Sequence, residues 1–208
     1  MKYEAYRFLW PPRPEKAAPP ALMGFYERRG WIAQIKKNGT CTVIFARGDT
    51  VIFKTRHNED HKAWSPLSSH CAFFTGRDAW NVYVAELLHS KGPQVKNHLY
   101  LFDILVSDGK ELIGTTLQDR QRILQSRFPT PKADIAGSRA GLGARMIGQD
   151  FSQAETIANP SGCWQTLGGL DEGLVFKDPK AVLSACNAPA SNGAWQVKIR
   201  RQHANYSF

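Results

Sequence analysis

Short runs of β-branched and aromatic residues, parted by turn residues, dominate the hydrophobic pattern of this chain. Residues 31–35, 41–46 and 50–54 are three such runs, separated by Asn38-Gly39 and Gly48-Asp49. Asn-Gly and Gly-Asp are strong hairpin signals, so the spacing predicts a three-strand meander. Residues 80–88 and 99–106 predict two further buried strands, and Ser107-Asp108-Gly109 turns the second into a return at 110–113. Strands are also predicted over 173–176 and 195–199. One helix is well marked, with Thr116 as N-cap and Asp119 three residues on. Its Leu117, Leu124 and Phe128 share a face, Arg120, Arg122 and Arg127 fall mostly off it, and Pro129 stops it. Residues 130–150 are rich in Gly, Ala and Arg without periodicity. They read as a mobile surface segment leading to a short helix over 152–158. Residues 10–20 form a Pro-rich, extended lead-in. The pattern as a whole is α+β and mostly antiparallel, a single domain over 1–208.

Composition adds a partner. The 208 residues are 42% hydrophobic and 22% charged, enough for a core and unlike a disordered chain. The formal charge is +9, and a basic protein of this size ordinarily meets a polyanion, most often nucleic acid. The basic residues are spread along the chain, which fits a groove assembled in space better than a basic tail. No apolar run approaches the ~18 residues of a membrane helix, and the polar start is not a signal peptide. Cys41, Cys71, Cys163 and Cys186 are far apart. They predict free thiols in a reducing cytoplasm rather than a zinc ribbon or a disulfide scaffold.

The candidate chemistry begins at Lys36, in Gln34-Ile35-Lys36-Lys37-Asn38-Gly39. At the end of a strand, its amine projects into a cleft while the Gly turn lets backbone N–H groups approach a phosphate or base. A lone Lys-x-Asn-Gly is also an ordinary hairpin with an exposed lysine. Glu86 is a carboxylate inside the apolar run Val84-Ala85-Glu86-Leu87-Leu88. It must either reach water from an edge or face a cleft and meet a ribose hydroxyl, a metal or a cation. In Asp171-Glu172-Gly173-Leu174-Val175-Phe176-Lys177, strand alternation puts Glu172 and Lys177 on opposite faces. The two share a cleft only if the strand twists or bulges at Gly173. Lys198 and Arg200 point the same way and form a two-cation clamp suited to phosphate. Phe102 can stack on a purine or fill the core, and Arg56, after the third strand, can contact a ribose or phosphate. No Gly-x-x-x-x-Gly-Lys-Ser/Thr loop, His-Glu-x-x-His string or Gly-x-Ser-x-Gly elbow occurs.

Taken in order, these segments resemble the covalent nucleotidyltransferase superfamily of DNA ligases, RNA ligases and mRNA capping enzymes, and most of all the adenylyltransferase domain of ATP-dependent DNA ligases. Lys36-Lys37-Asn38-Gly39 resembles the nucleophile motif Lys-x-Asp/Asn-Gly. Arg56 resembles the arginine that follows it, Glu86 the carboxylate of the third motif, and Phe102 the aromatic that stacks on the base. Glu172 through Lys177 is similar to the metal-associated fourth motif, and Lys198 with Arg200 to the fifth. The resemblance implies two mostly antiparallel sheets flanked by helices around a nucleotide cleft. It implies ATP as AMP donor and Mg²⁺ or Mn²⁺ held by Glu172 and Glu86. Gln34, Lys36, Arg56, Glu86, Phe102, Lys177 and Lys198 would then hold the nucleotide, with Lys36 as nucleophile and Lys198 and Arg200 as catalytic cations. The implied reaction is sealing of nicked duplex DNA through a lysyl-AMP, by a monomer with no membrane partner, in the cytoplasm or, for a virus, the host-cell cytoplasm. RNA ligation, GTP-dependent capping or non-catalytic nucleic-acid binding are the alternatives. Three positions depart from the pattern: Asn38 stands for the commoner Asp, Gln34 for a base-reading Glu, and Cys41 for an Arg. The chain ends at Phe208, just past the fifth motif, so no OB-fold domain is expected within it, and a separate OB-fold chain is a candidate partner.

Overall fold

The computed structural model describes residues 2–3, 6–90, 95–128, 143–168, 171–189 and 193–201. In chain order its elements are β1 (Lys16–Ala17), α1 (Met23–Arg28), β2 (Ile32–Lys37), β3 (Thr40–Arg47), β4 (Thr50–Thr55) and α2 (Ser68–Phe74). They continue through β5 (Asn81–Leu88), β6 (His98–Ser107), β7 (Lys110–Glu111), α3 (Leu117–Arg127) and β8 (Ala144–Gly148). The last are β9 (Phe151–Ala154), α4 (Pro160–Thr166), β10 (Asp171–Lys177) and β11 (Gln196–Arg200). They build two sheets. One has four strands in the order β1-β11-β10-β2; the other runs β4-β3-β5-β6-β9-β8, with β7 on β6. Every pairing is antiparallel except β1 with β11 and β6 with β9. The α+β expectation holds, in two sheets flanked by helices.

The turn at Gly48-Asp49 does close a hairpin, with Arg47 opposite Thr50 and Gly48 at positive φ. Asn38-Gly39 does not. Strand β2 pairs with β10, and β3 pairs with β4 and β5, so the chain crosses from one sheet to the other at that point. Gly39 is required there for closeness, not for its φ. A Cβ would sit 2.5 Å from the Leu87 carbonyl oxygen, and the Gly39 N–H donates to Glu86 Oε1 at 3.1 Å. That contact draws the chain onto β5, where a two-residue hairpin would have returned it to β2.

Three further expectations are corrected. Residues 151–154 form β9 in place of the start of a helix over 152–158, and all four are buried between β6 and β8. The polar Ser152 and Gln153 tolerate burial because Ser152 meets His98 Nε2 at 2.7 Å and Gln153 Oε1 accepts from Arg145. Within 130–150, residues 144–148 are strand β8, while 129–142, including Pro129, lie outside the described residues. Arg120, placed off the apolar face of α3, is instead completely buried.

Each sheet has its own core. Val43, Phe45, Val82, Val84, Leu101 and Leu105 belong to the core of the larger sheet, while Ile35, Leu174, Phe176 and Ile199 join Met23 of α1 and Cys163 of α4 in the other. All four cysteines are free, two buried and two half-buried. No helix among the described residues is long and apolar enough to cross a membrane. Helix α3 is fastened to β6 by charge as well as by packing. Arg120 forks onto Asp103, Nε to Oδ1 at 2.8 Å and Nη2 to Oδ2 at 3.1 Å, and its Nη1 donates to the Thr115 carbonyl. Its guanidinium also lies 5.6 Å from the Trp195 ring.

A buried ion pair need not stabilise relative to apolar side chains, but breaking one side strands a charge. Arg120→Met is therefore expected to lower unfolding free energy by about 3–5 kcal/mol, and Arg120→Met/Asp103→Leu by much less. Urea denaturation of the three proteins measures both.

Candidate active site

A cleft of about 850 Å³ opens between the two sheets. Lys36, Gln34, Glu172, Lys177, Lys198 and Arg200 line it from the smaller sheet; Glu86, Phe102 and Arg56 line it from the larger sheet and the segment after β4. All nine predicted site residues are thus brought to one cavity, though they span more than 160 positions of sequence.

The smaller sheet carries the charge. Lys36 Nζ lies 2.5 Å from Glu172 Oε2, and Arg200 Nε 2.6 Å from Glu172 Oε1. Glu172 is almost fully buried, so its carboxylate requires such partners. The expected irregularity at Gly173 is present. Gly173 lies opposite Lys36, yet Asp171 lies opposite Lys37, a register shift that leaves Glu172 as the extra residue of a β-bulge. Gly173 has φ +154°, and a Cβ there would fall 2.0 Å from the Ile199 carbonyl oxygen, so only glycine fits. The bulge solves the alternation problem: Glu172 and Lys177 line the same cleft.

Lys198 and Arg200 do project together, with Ile199 between them in the core. Burial pushes the Lys198 ammonium below its ordinary value, and Arg200 and Lys36 push it further. Lys177 is buried against Gln34, donating to its Oε1 at 2.6 Å with its ammonium 5.1 Å from the Phe102 ring. Burial lowers its pKa to about 8, against an opposing pull from Asp103. Gln34 turns its other end to Gln121 of α3, 3.4 Å away, and Gln121 donates to the Phe102 carbonyl at 2.8 Å. The Gln34 amide is thereby oriented from both ends. Phe102 is half-buried; it packs on the core and also faces the cleft.

Glu86 reaches the cleft from β5, opposite Cys41 on β3. Burial raises its carboxyl to about 7; Lys36 opposes this and Glu172 adds to it. Burial likewise raises the Cys41 thiol, with Glu86 adding to the effect. Cys41 lines the cleft as a neutral group where an arginine would carry charge. Arg56 is exposed, touches His57 Nε2 at 3.1 Å and makes no ion pair among the described residues.

Several lining residues had no local signal. Arg13 and Glu15 of the lead-in reach the cleft because β1 runs parallel to β11, with Ala17 opposite Lys198. Gln121 lay on a helix read only for its apolar stripe. Lys37 and Asp171, each next to a predicted residue, pair at 2.6 Å on the opposite face of the same strands.

Among the described residues no three His, Cys, Asp or Glu side chains converge as a metal cage. Glu15 and Glu59 also line the cleft, but Glu172 and Glu86 are its two buried or half-buried strand carboxylates. That donor set suits Mg²⁺, which is commonly held by one or two carboxylates with substrate phosphates and water completing its shell.

No family model matches the chain, and no curated protein does. Solved structures do. The chain superposes on a mycobacterial DNA ligase D complexed with ATP and MES, with a TM-score of 0.57 and 19% identity, covering 83% of this chain and 55% of that one. It matches the ligase domain of LigD from M. tuberculosis at TM-score 0.56 and 19% identity, over 82% of this chain and 53% of that one. A third match, Pmar-Lig_PreS3, has TM-score 0.56 and 14% identity over 89% and 45%. The fold is that of ligase nucleotidyltransferase domains. At these identities the likeness is one of fold, and this chain spans about half the length of the proteins it matches.

Lys177 supplies a test of the cleft's electrostatics. Its folded pKa, about 8, lies below its unfolded value, so between pH 8 and about 10.5 the unfolded chain binds more protons. Its contribution to stability therefore rises with pH across that window and is lost as pH falls through 8. Unfolding free energies of wild type minus Lys177→Met, followed from pH 7 to 10.5, are expected to climb. A flat difference would place the amine in water.

Proposed function

We propose that this chain is the adenylyltransferase domain of an ATP-dependent polynucleotide ligase acting on nicked duplex DNA, with Lys36 as the nucleophile. The observation that carries the reading is the Lys36–Glu172–Arg200 cluster, set in a cleft with Lys198 and Glu86. One buried carboxylate between two cations, with a third beside them, leaves excess positive charge where a polyphosphate would lie. The fold shared with DNA ligases and the net charge of +9 support the same reading.

The chain's own residues divide the work. Lys36 Nζ must shed a proton to attack the α-phosphorus; the N–P bond forms as the bond from phosphorus to the bridging oxygen breaks, and pyrophosphate leaves with the electron pair. Glu172 Oε2, 2.5 Å away, is placed to accept that proton. Lys198 and Arg200 stabilise the charge that grows on the phosphate oxygens, and such preorganised cations act strongly where water is excluded. Phe102 and Val175 offer apolar wall to a base, and Gln34 offers a fixed amide. Glu172 and Glu86 would hold Mg²⁺ or Mn²⁺, which when bound neutralises phosphate charge. The AMP then passes to a 5′-phosphate, and the adjoining 3′-hydroxyl displaces it. Four free cysteines fit a reducing compartment such as the cytoplasm.

Incubation with radiolabelled ATP and Mg²⁺ is expected to yield an acid-stable protein adduct of one AMP, absent in Lys36→Ala. Lys198→Ala should slow its formation by about 100-fold or more, the usual cost of removing one preorganised charge donor. Parallel reactions with GTP, and sealing of pre-adenylylated nicks in DNA, RNA and hybrid duplexes, identify base and substrate. No adduct from any nucleoside triphosphate would sink the reading.

A further inference from the structure

The strands β2 and β10 present two adjacent lysines, Lys36-Lys37, to two adjacent acids, Asp171-Glu172. Two registers satisfy that charge pattern. Continuing regularly from Lys36 opposite Gly173 would put Glu172 opposite Lys37. The observed ladder instead sets Asp171 opposite Lys37 and leaves Glu172 bulged. The difference matters because strand neighbours point to opposite faces, and a slip of one residue exchanges them. In the regular register Glu172 would be drawn to the buried face with Lys37, and Lys36 would lose its carboxylate.

We propose that the buried Lys37–Asp171 pair is the positioning device that selects the bulged register and so delivers Glu172 to Lys36. Gly173 permits the bulge sterically but is indifferent to which acid is displaced. The ion pair is not. Lys37 Nζ meets Asp171 Oδ1 at 2.6 Å, with the two side chains 2% and 11% exposed. The ammonium also lies 5.6 Å from the ring of Tyr100, on β6 of the other sheet. Tyr100 in turn donates to the Gly143 carbonyl and reaches toward that of Ile35, at 3.2 and 3.5 Å. The pair therefore has a fixed seat between the sheets that the longer Glu172 does not occupy. Neither residue touches the reacting atoms; they act through Glu172.

The catalytic arm of the test rests on the proposed adenylylation, and the structural arm does not. Lys37→Met/Asp171→Leu replaces the pair by apolar side chains of similar size, a change that commonly leaves a fold as stable as before. Nuclear Overhauser contacts between the backbones of residues 37 and 171 report the bulged register, since the regular register replaces them with contacts between 37 and 172. In the double variant these contacts are expected to vanish and the adduct-forming rate at saturating ATP to fall about 100-fold, as for a catalytic group misplaced by an ångström, with the half-saturating ATP concentration changed by less than about threefold. Lys37→Arg should keep both. Contacts retained in the double variant, or an unchanged rate after their loss, overturn the proposal. Should that variant fail to fold, the exchange Lys37→Asp/Asp171→Lys keeps a pair and is expected to keep the contacts, and their loss there overturns it too. A wild type that forms no adduct refutes the ligase reading alone, since the contacts still decide the register.

Discussion

One buried carboxylate organises this molecule. Glu172 lies on β10, between β2 and β11, and its two oxygens reach Lys36 on one neighbour and Arg200 on the other. A charge so little exposed must be paired, and pairing it from both sides ties Lys36 and Arg200 to a common point. Two cations answer one anion, and Lys198 adds a third positive group whose own charge the surroundings already disfavour. The cleft is thus set up to gain from an incoming anion. The glycine that lets β11 approach and the bulge that turns Glu172 both serve that contact.

The larger sheet supplies the opposite wall and its rigidity. Strand β6 is held to α3 by the Asp103–Arg120 fork, and the next residue of α3, Gln121, fixes the Phe102 carbonyl and the Gln34 amide. One helix therefore orients groups on both walls of the cleft. Sites placed on strands and helices keep their geometry better than sites on loops, and here most of the predicted site residues stand on strands. The chain's step between sheets at Asn38-Gly39 joins the walls covalently, while the Gly39 N–H bond to Glu86 joins them again through a side chain.

Strands were the most readable part of the chain. Residues 80–88 and 99–106 are β5 and β6 to within a residue or two, because long apolar β-branched runs have few other ways to bury themselves. Helix α3 was equally plain from its cap. The short helices α1, α2 and α4, each under two turns, escaped because six or seven residues display too little of a 3.6-residue period. Strand β9 reads as helix because the burial of Ser152 and Gln153 leans on His98 and Arg145, partners invisible to local pattern. Arg120 was misplaced for the same reason: burial of a guanidinium depends on a carboxylate 17 residues away.

The amino-acid order by itself determined which side chains could carry charge-transfer chemistry and that a glycine would have to break the alternation between Glu172 and Lys177. Residue type and strand period are local properties, and both are written in the chain. Only the tertiary structure decided that Asn38-Gly39 joins two sheets instead of closing a hairpin, and that Asp171 rather than Glu172 takes Lys37. Those outcomes turn on contacts with Leu87, Glu86, Ile199 and Tyr100, residues distant in sequence whose proximity exists only once both sheets have formed.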